Sequence, residues 1–142
     1  MKIRKIVRVQ KPIEAVFAYL SDFTTTTQWD PGTVVTIRNS GDGSIGTEYL
    51  NTSTFAGRQT QLKYVVKEFI PNQRIGLRGE NKTVIAYDTM SFRQIGTETE
   101  VTYTADFTFK GITRLLAIFL TPAFAQLGNK AEVGMAHALN QL

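Results

Sequence analysis

Apolar and polar residues alternate from Ile3 to Gln10, with Ile3, Val7 and Val9 on one face, Lys2, Arg4 and Arg8 on the other, and Lys5 breaking the pattern. A period of two predicts a strand with one buried face. The period then lengthens. Ile13, Val16, Phe17 and Leu20 fall at i, i+3, i+4 and i+7 behind Pro12, which predicts a short amphipathic helix with the proline at its first position. Thr24 to Thr27 suit capping better than a helix interior, and Pro31-Gly32 fits the centre of a type II turn, with a second short helix across it. From residue 33 the period is two again. Strands are predicted at Val34–Asn39, Thr47–Phe55, Gln59–Phe69, Arg74–Gly79, Lys82–Gln94 and Glu98–Phe109. The breaks between them are of hairpin length, so the sheet is antiparallel. In the last strand Val101, Tyr103, Ala105, Phe107 and Phe109 share the face expected to meet a helix.

That helix is the last segment, Gly111 to Leu142. Ile112, Leu115, Leu116, Phe119, Pro122, Ala123, Leu127, Ala131, Met135, Ala138 and Leu142 recur mostly every three or four residues, which lays down one apolar stripe expected to be buried. A straight helix of this length would run about 48 Å, beyond the ~30 to 40 Å breadth of a globule this size. A bend is therefore expected at Pro122. Either the helix kinks there, the favoured reading, or it stops and restarts with Thr121 as N-cap. The pattern describes an α+β fold: a curved seven-stranded antiparallel sheet around a long C-terminal helix, with two short helices between strands 1 and 2. It fills residues 1–142 as one domain.

Composition narrows the chemistry. The 142 residues include no cysteine and one histidine, His137, which excludes disulfides, thiolate nucleophiles and histidine-rich zinc sites. No metal and no cofactor is expected. The N-terminus lacks the apolar core of a signal peptide and no run is long enough to span a bilayer, so a cytoplasmic protein without stable membrane insertion is expected. Of the net charge of +4, the excess lies in Lys2, Arg4, Lys5, Arg8 and Lys11. A basic strand can touch phosphates or anionic lipid, but charged side chains also protect an edge or solvent face of a sheet from mispairing, and the second reading is preferred. No nucleic-acid partner is expected; a homodimer is left open.

Gly41-Asp42-Gly43-Ser44-Ile45-Gly46 matches G-x-G-x-x-G literally, but a strand follows where the dinucleotide motif needs a helix, so it reads as a hairpin loop. His137 has no neighbour with which to form a triad and reads as a helix-surface or half-buried residue. Asp88 shares its strand face with Met90 and Phe92. Turned inward it would be a perturbed carboxylate able to move a proton, the one candidate catalytic group; a register shift turning it outward is slightly favoured. The aromatics and Met90 suggest a pocket between sheet and helix. Its candidate ligand-binding residues are Trp29, Tyr49, Phe55, Tyr64, Met90, Tyr103, Phe107, Phe119 and Phe124.

The order of Lys11-Pro12-Ile13-Glu14-Ala15-Val16-Phe17, Trp29-Asp30-Pro31-Gly32, Gly46-Thr47-Glu48-Tyr49, Val66-Lys67-Glu68-Phe69-Ile70-Pro71, Thr97 to Tyr103 and Gly111 to Leu116 resembles the polyketide cyclase/dehydrase branch of the START-like helix-grip (SRPBCC) superfamily. The resemblance spans nearly the whole chain, although Lys11 stands where many members have alanine. It implies a helix-grip fold with a hydrophobic cavity for lipids, polyketides, hormones or flavonoids, and carries over no catalytic set. The leading expectation is a binding protein for a small hydrophobic molecule. The alternatives are a metal-free cyclase or dehydratase, in which the cavity folds the substrate while Asp88 or a tyrosine moves protons, and a module that engages protein, RNA or membrane through the basic strand or the Leu115–Ala125 segment.

Overall fold

A computed structural model describes all residues from Met1 to Leu142. Strand β1 (Lys2–Val9) leads into helix α1 (Ile13–Ser21), a 3₁₀ turn at Phe23–Thr25 and helix α2 (Thr26–Trp29). Six strands follow: β2 (Thr33–Ser40), β3 (Glu48–Phe55), β4 (Arg58–Ile70), β5 (Arg74–Glu80), β6 (Val84–Ile95) and β7 (Glu98–Phe109). The chain ends in α3 (Thr113–Leu116), a 3₁₀ turn at Ala117–Leu120 and α4 (Thr121–Asn140). The strands form one antiparallel sheet in the order β1-β7-β6-β5-β4-β3-β2. Register shifts between Thr33 and Val35, Arg38 and Ser40, and Val66 and Glu68 supply the local bends that curve it. This is the helix-grip fold, with α4 against the concave face.

Two glycines set how closely α4 approaches. A Cβ on Gly128 would stand 2.7 Å from Ile3 Cγ2 on β1, and one on Gly134 would stand 2.0 Å from the Trp29 carbonyl oxygen at the end of α2. A side chain at either position would push the helix away. Lys5, the residue that breaks the β1 alternation, donates to Asn129 Oδ1 at 2.7 Å and lies 3.5 Å from a Glu132 carboxylate oxygen, tying β1 to α4.

Several local expectations are corrected. Pro12 is the N-cap of α1 in extended conformation (ψ 142°), one position before the predicted N1; its carbonyl accepts the first helical bond, from Val16 N–H. The second short helix ends at Trp29, before Pro31-Gly32 instead of across it. Gly32 does not take the positive φ that a type II turn needs: Asp30 accepts from Gly32 N–H at 3.0 Å and from the Thr33 hydroxyl at 2.9 Å, and the turn closes around that carboxylate. The 41–47 segment joins β2 to β3 as a hairpin loop and is followed by strand.

The largest correction concerns the C-terminal segment. It is not one kinked helix. Pro122 cannot donate its backbone to the preceding turn, and the chain passes through the 3₁₀ turn at 117–120 before α4 begins with the proline in its first turn. Nor is the predicted stripe buried along its whole length. Phe124, Ala131, Met135 and Leu139 of α4 face inward, whereas Ile112, Leu115, Leu116, Ile118 and Phe119 remain 56 to 80 % exposed.

Candidate functional site

The concave face of the sheet and α4 enclose a cavity of about 620 Å³, within the ~300 to 1,000 Å³ typical of small-molecule sites. Small residues keep it open: Ala105 on β7 and Gly128 and Ala131 on α4 line it. Two separate hydrophobic clusters border it, one spanning α1, the sheet centre and the end of α4, the other built on Ile3, Ala105 and Phe124. Tyr103, Phe107 and Phe109 pack against both.

Its two ends differ in chemistry. Toward the start of α4, Phe124 meets Phe55, Phe107 and Phe109 at ring-centroid distances of 4.5, 4.9 and 5.6 Å, and Leu120 and Leu127 continue this apolar wall. Phe119, Leu116, Arg58, Asn81, Thr83 and Thr113 form the rim. Toward α2 the lining becomes polar with Asp30, Asn51, Tyr64, Asp88 and Tyr103. Burial along β6 alternates without interruption from Val84 to Phe92, which turns Asp88 inward and leaves it 4 % exposed. The outward placement slightly favoured from sequence is thereby overturned; no bulge interrupts the β6–β7 register, in which Asp88 faces Ala105.

The Asp88 carboxylate accepts from the Tyr103 hydroxyl at 2.8 Å and from the Tyr64 hydroxyl at 3.4 Å. Burial pushes its pKa up to about 7; the two hydroxyls pull it down and the negative charge of Asp30 pushes it further up. Burial likewise raises the pKa of Asp30, against the two turn hydrogen bonds that lower it. Tyr64 and Tyr103 are held well above the usual phenol range, by burial first and by the neighbouring carboxylates second, and so remain donors. The ring of Tyr64 reaches this position over Gly79, where a Cβ would stand 2.7 Å from ring carbons. Beside them Asn51 donates to the hydroxyls of Thr33 and Thr36 and accepts from Ser53, while Thr36 pairs with Thr26 at 2.6 Å. These polar groups are satisfied before a ligand enters. The exception is Trp29 Nε1, buried without a partner while its indole stands edge-on to the Tyr103 ring at 5.6 Å.

Of the candidates drawn from sequence, Trp29, Phe55, Tyr64, Tyr103, Phe107, Phe119 and Phe124 line the cavity together with Asp88. Tyr49 and Met90 do not. Tyr49 packs on Phe23 at 5.9 Å, and Met90, fully buried opposite Ile75 and Tyr103, belongs to the main core. Period two places them on the concave side, but the concave side serves both core and cavity. Asp30 and Asn51 escaped sequence reasoning as site residues. Asp30 sits before Pro-Gly and looks like turn chemistry, which it also performs, whereas Asn51 carried a readable signal: an amide on the inward face of a strand. No group of three or more His, Cys, Asp or Glu side chains is placed to hold a metal ion. His137 is exposed on α4, away from the cavity.

A curved sheet gripping a C-terminal helix over an apolar cavity with a polar inner end defines a START-like helix-grip architecture. The chain belongs to the polyketide cyclase/dehydrase and lipid transport family, whose sequence profile matches residues 1–134. Among solved structures, the Zhui aromatase/cyclase from Streptomyces sp. R1128 superposes with a TM-score of 0.82 at 13% identity, over 97% of this chain and 92% of that one. A START superfamily protein from Mycobacterium smegmatis gives 0.72 at 18% identity, over 99% and 94%. TTHA0849 from Thermus thermophilus gives 0.74 at 14% identity, over 97% and 99%. A search of curated proteins by sequence found no match. At these identities the superpositions speak for the fold alone.

Proposed function

We propose that the chain, acting as one START-like domain, binds a small, largely apolar molecule of the lipid, polyketide or aromatic-metabolite class in the cavity between sheet and α4. The observation that carries this reading is the lining itself: an apolar aromatic wall near the mouth and, at the inner end, a buried carboxyl flanked by two tyrosine hydroxyls. A molecule with a hydrocarbon or ring body and one oxygen-bearing end matches that division, the body gaining from area removed from water and the oxygen from directional bonds. Family membership supports a ligand-binding or cyclase role at this coarser level. Native mass spectrometry of the purified protein, together with titration of an apolar fluorescent dye, tests the reading. A co-purified mass or saturable, displaceable dye uptake is expected; neither one appearing refutes it.

One observation favours a second, catalytic reading. With a pKa of about 7, Asp88 holds comparable amounts of acid and base near neutral pH, as a proton-transfer group needs. In a cyclase or dehydratase of this kind the Asp88 carboxylate would take a proton from an activated carbon of the folded substrate, and the resulting acid would return it to the departing oxygen. Turnover lost in Asp88→Asn with binding retained would separate catalysis from binding.

A further inference from the structure

The segment between β7 and α4 carries an apolar face that is largely open to solvent. From Gly111 to Leu120 only Ala117 is buried, while Ile112, Leu115, Leu116, Ile118 and Phe119 project into solvent. Contiguous exposed apolar side chains of this size mark an interaction surface. Two features of the structure indicate its partner. First, the surrounding charge has one sign. Arg114 on α3, Arg58 after the β3–β4 turn and Lys82 in the β5–β6 turn are exposed and enter no ion pair, whereas Glu80, the acid of the adjoining β5 end, is neutralised by Lys110 and Arg78. No acidic residue occurs between Asp106 and Glu132. Second, the face adjoins the cavity rim: Leu116 and Phe119 belong to both, and Thr113 and Lys110 bond the carbonyls of Thr83 and Asn81 at the same edge.

We propose that the apolar face of residues 112–119, flanked by Arg58, Lys82 and Arg114, docks on an anionic lipid bilayer and sets the cavity mouth against it. Apolar side chains enter the acyl boundary while the cations remain at the headgroups. A soluble acidic protein would satisfy the charges, but side chains left 56 to 80 % exposed beside the cavity mouth suit a fluid surface that closes around them. The attachment is peripheral: no helix is long and apolar enough to cross a membrane. The proposal does not depend on what the cavity binds.

Vesicle co-sedimentation tests it with two lipid mixtures, phosphatidylcholine alone and phosphatidylcholine containing phosphatidylglycerol. Binding to the anionic vesicles, weakened by salt and nearly absent on the neutral ones, is expected. Leu115→Asp with Ile118→Asp should abolish it while leaving circular dichroism, unfolding temperature and dye uptake unchanged, since neither residue is packed or lines the cavity. Lys82→Gln and Arg114→Gln should each weaken it about fivefold, the share expected of one cation near a charged surface. Absence of binding to anionic vesicles overturns the proposal, as does equal binding to both mixtures. So does a self-associating chain that Leu115→Asp dissociates without any effect on vesicles, because the face then belongs to a second copy. Loss of dye uptake in the wild type would sink the cavity reading and leave this result standing.

Discussion

Ionising Asp88 inside the folded protein has a cost that can be read as a pH dependence of stability. In an unfolded chain an aspartate titrates near ~3.9; in the fold burial lifts Asp88 to about 7. Between those values the native state holds a proton that the unfolded state has released, so stability falls as pH rises through this window and levels off above pH 7. Three pKa units correspond to roughly 4 kcal/mol. Asp30, also raised by burial, acts in the same direction. Glu80, Glu100 and Asp42 have lowered pKa values and act in the opposite direction, losing their contribution only as pH falls below the usual carboxylate range, outside the window. Asp88→Asn removes the titration while its amide oxygen still accepts from Tyr103. Near pH 4.5 the variant should match the wild type to within about 1 kcal/mol. At pH 8 it should be more stable by up to about 4 kcal/mol, on the order of 10 °C in Tm for a domain of this size. Urea unfolding of both proteins at intervals from pH 4.5 to 8 measures this directly. A wild type whose stability is flat or rises across that range would refute the buried, proton-retaining state of Asp88, as would an Asp88→Asn variant that is less stable at pH 8.

Ala105→Phe should fill free volume: unfolding should change little, against the ~1 to 3 kcal/mol lost to overpacking in a filled core, while apolar dye is displaced, and a large destabilisation in a wild type that takes up no dye would argue against a cavity. Gly79→Ala should force the Tyr64 ring away from Asp88 and raise the carboxyl pKa by removing a stabilising donor, so the pH transition of stability should move upward; an unshifted transition would contradict the Gly79–Tyr64 contact. Gly134→Ala should destabilise by more than about 2 kcal/mol, because its Cβ meets a carbonyl oxygen that cannot move aside, and a neutral effect in urea unfolding would count against this seat for α4. Pro122→Ala should let α4 extend backward through the 117–120 turn, raising the helical signal in circular dichroism by a fraction of a turn; an unchanged or smaller signal would show that the 3₁₀ turn has another cause.

Strands were the legible part of this chain. β7 was bounded correctly at Glu98 and Phe109, and the other strands to within about two residues, because strict alternation and short breaks leave an antiparallel meander little freedom. Family resemblance supplied the helix-grip arrangement, which the family match and the sheet order support. The C-terminal segment was less legible. Its apolar spacing predicts a stripe, but spacing cannot say whether a stripe meets the sheet or the solvent. The deciding features are non-local: Gly128 and Gly134 seat α4, and the residues before Pro122 have no such seat. Asp88 was ambiguous for a related reason, since alternation fixes a side only if no bulge intervenes.

The same non-local features explain why a cavity persists where a sheet and a helix could have closed on each other. Gly134 rests on the end of α2 and Gly128 on Ile3, so α4 is seated on α2 and on the edge strand β1. Ala105 and Ala131 line the cavity with short side chains, while the aromatics stand around it: Phe124 with Phe55, Phe107 and Phe109 on one side, Trp29 with Tyr103 on the other. Collapse would have to move rings already packed against one another, and would bring apolar side chains onto Asp88, Asp30 and Asn51, whose existing hydrogen bonds use the polar edges of the same wall. An apolar void can stay open under such constraints. What divides the two proposed roles, binding and catalysis, is whether the proton on Asp88 moves while a ligand occupies the cavity, a property of the ligand's own chemistry as much as of the fold.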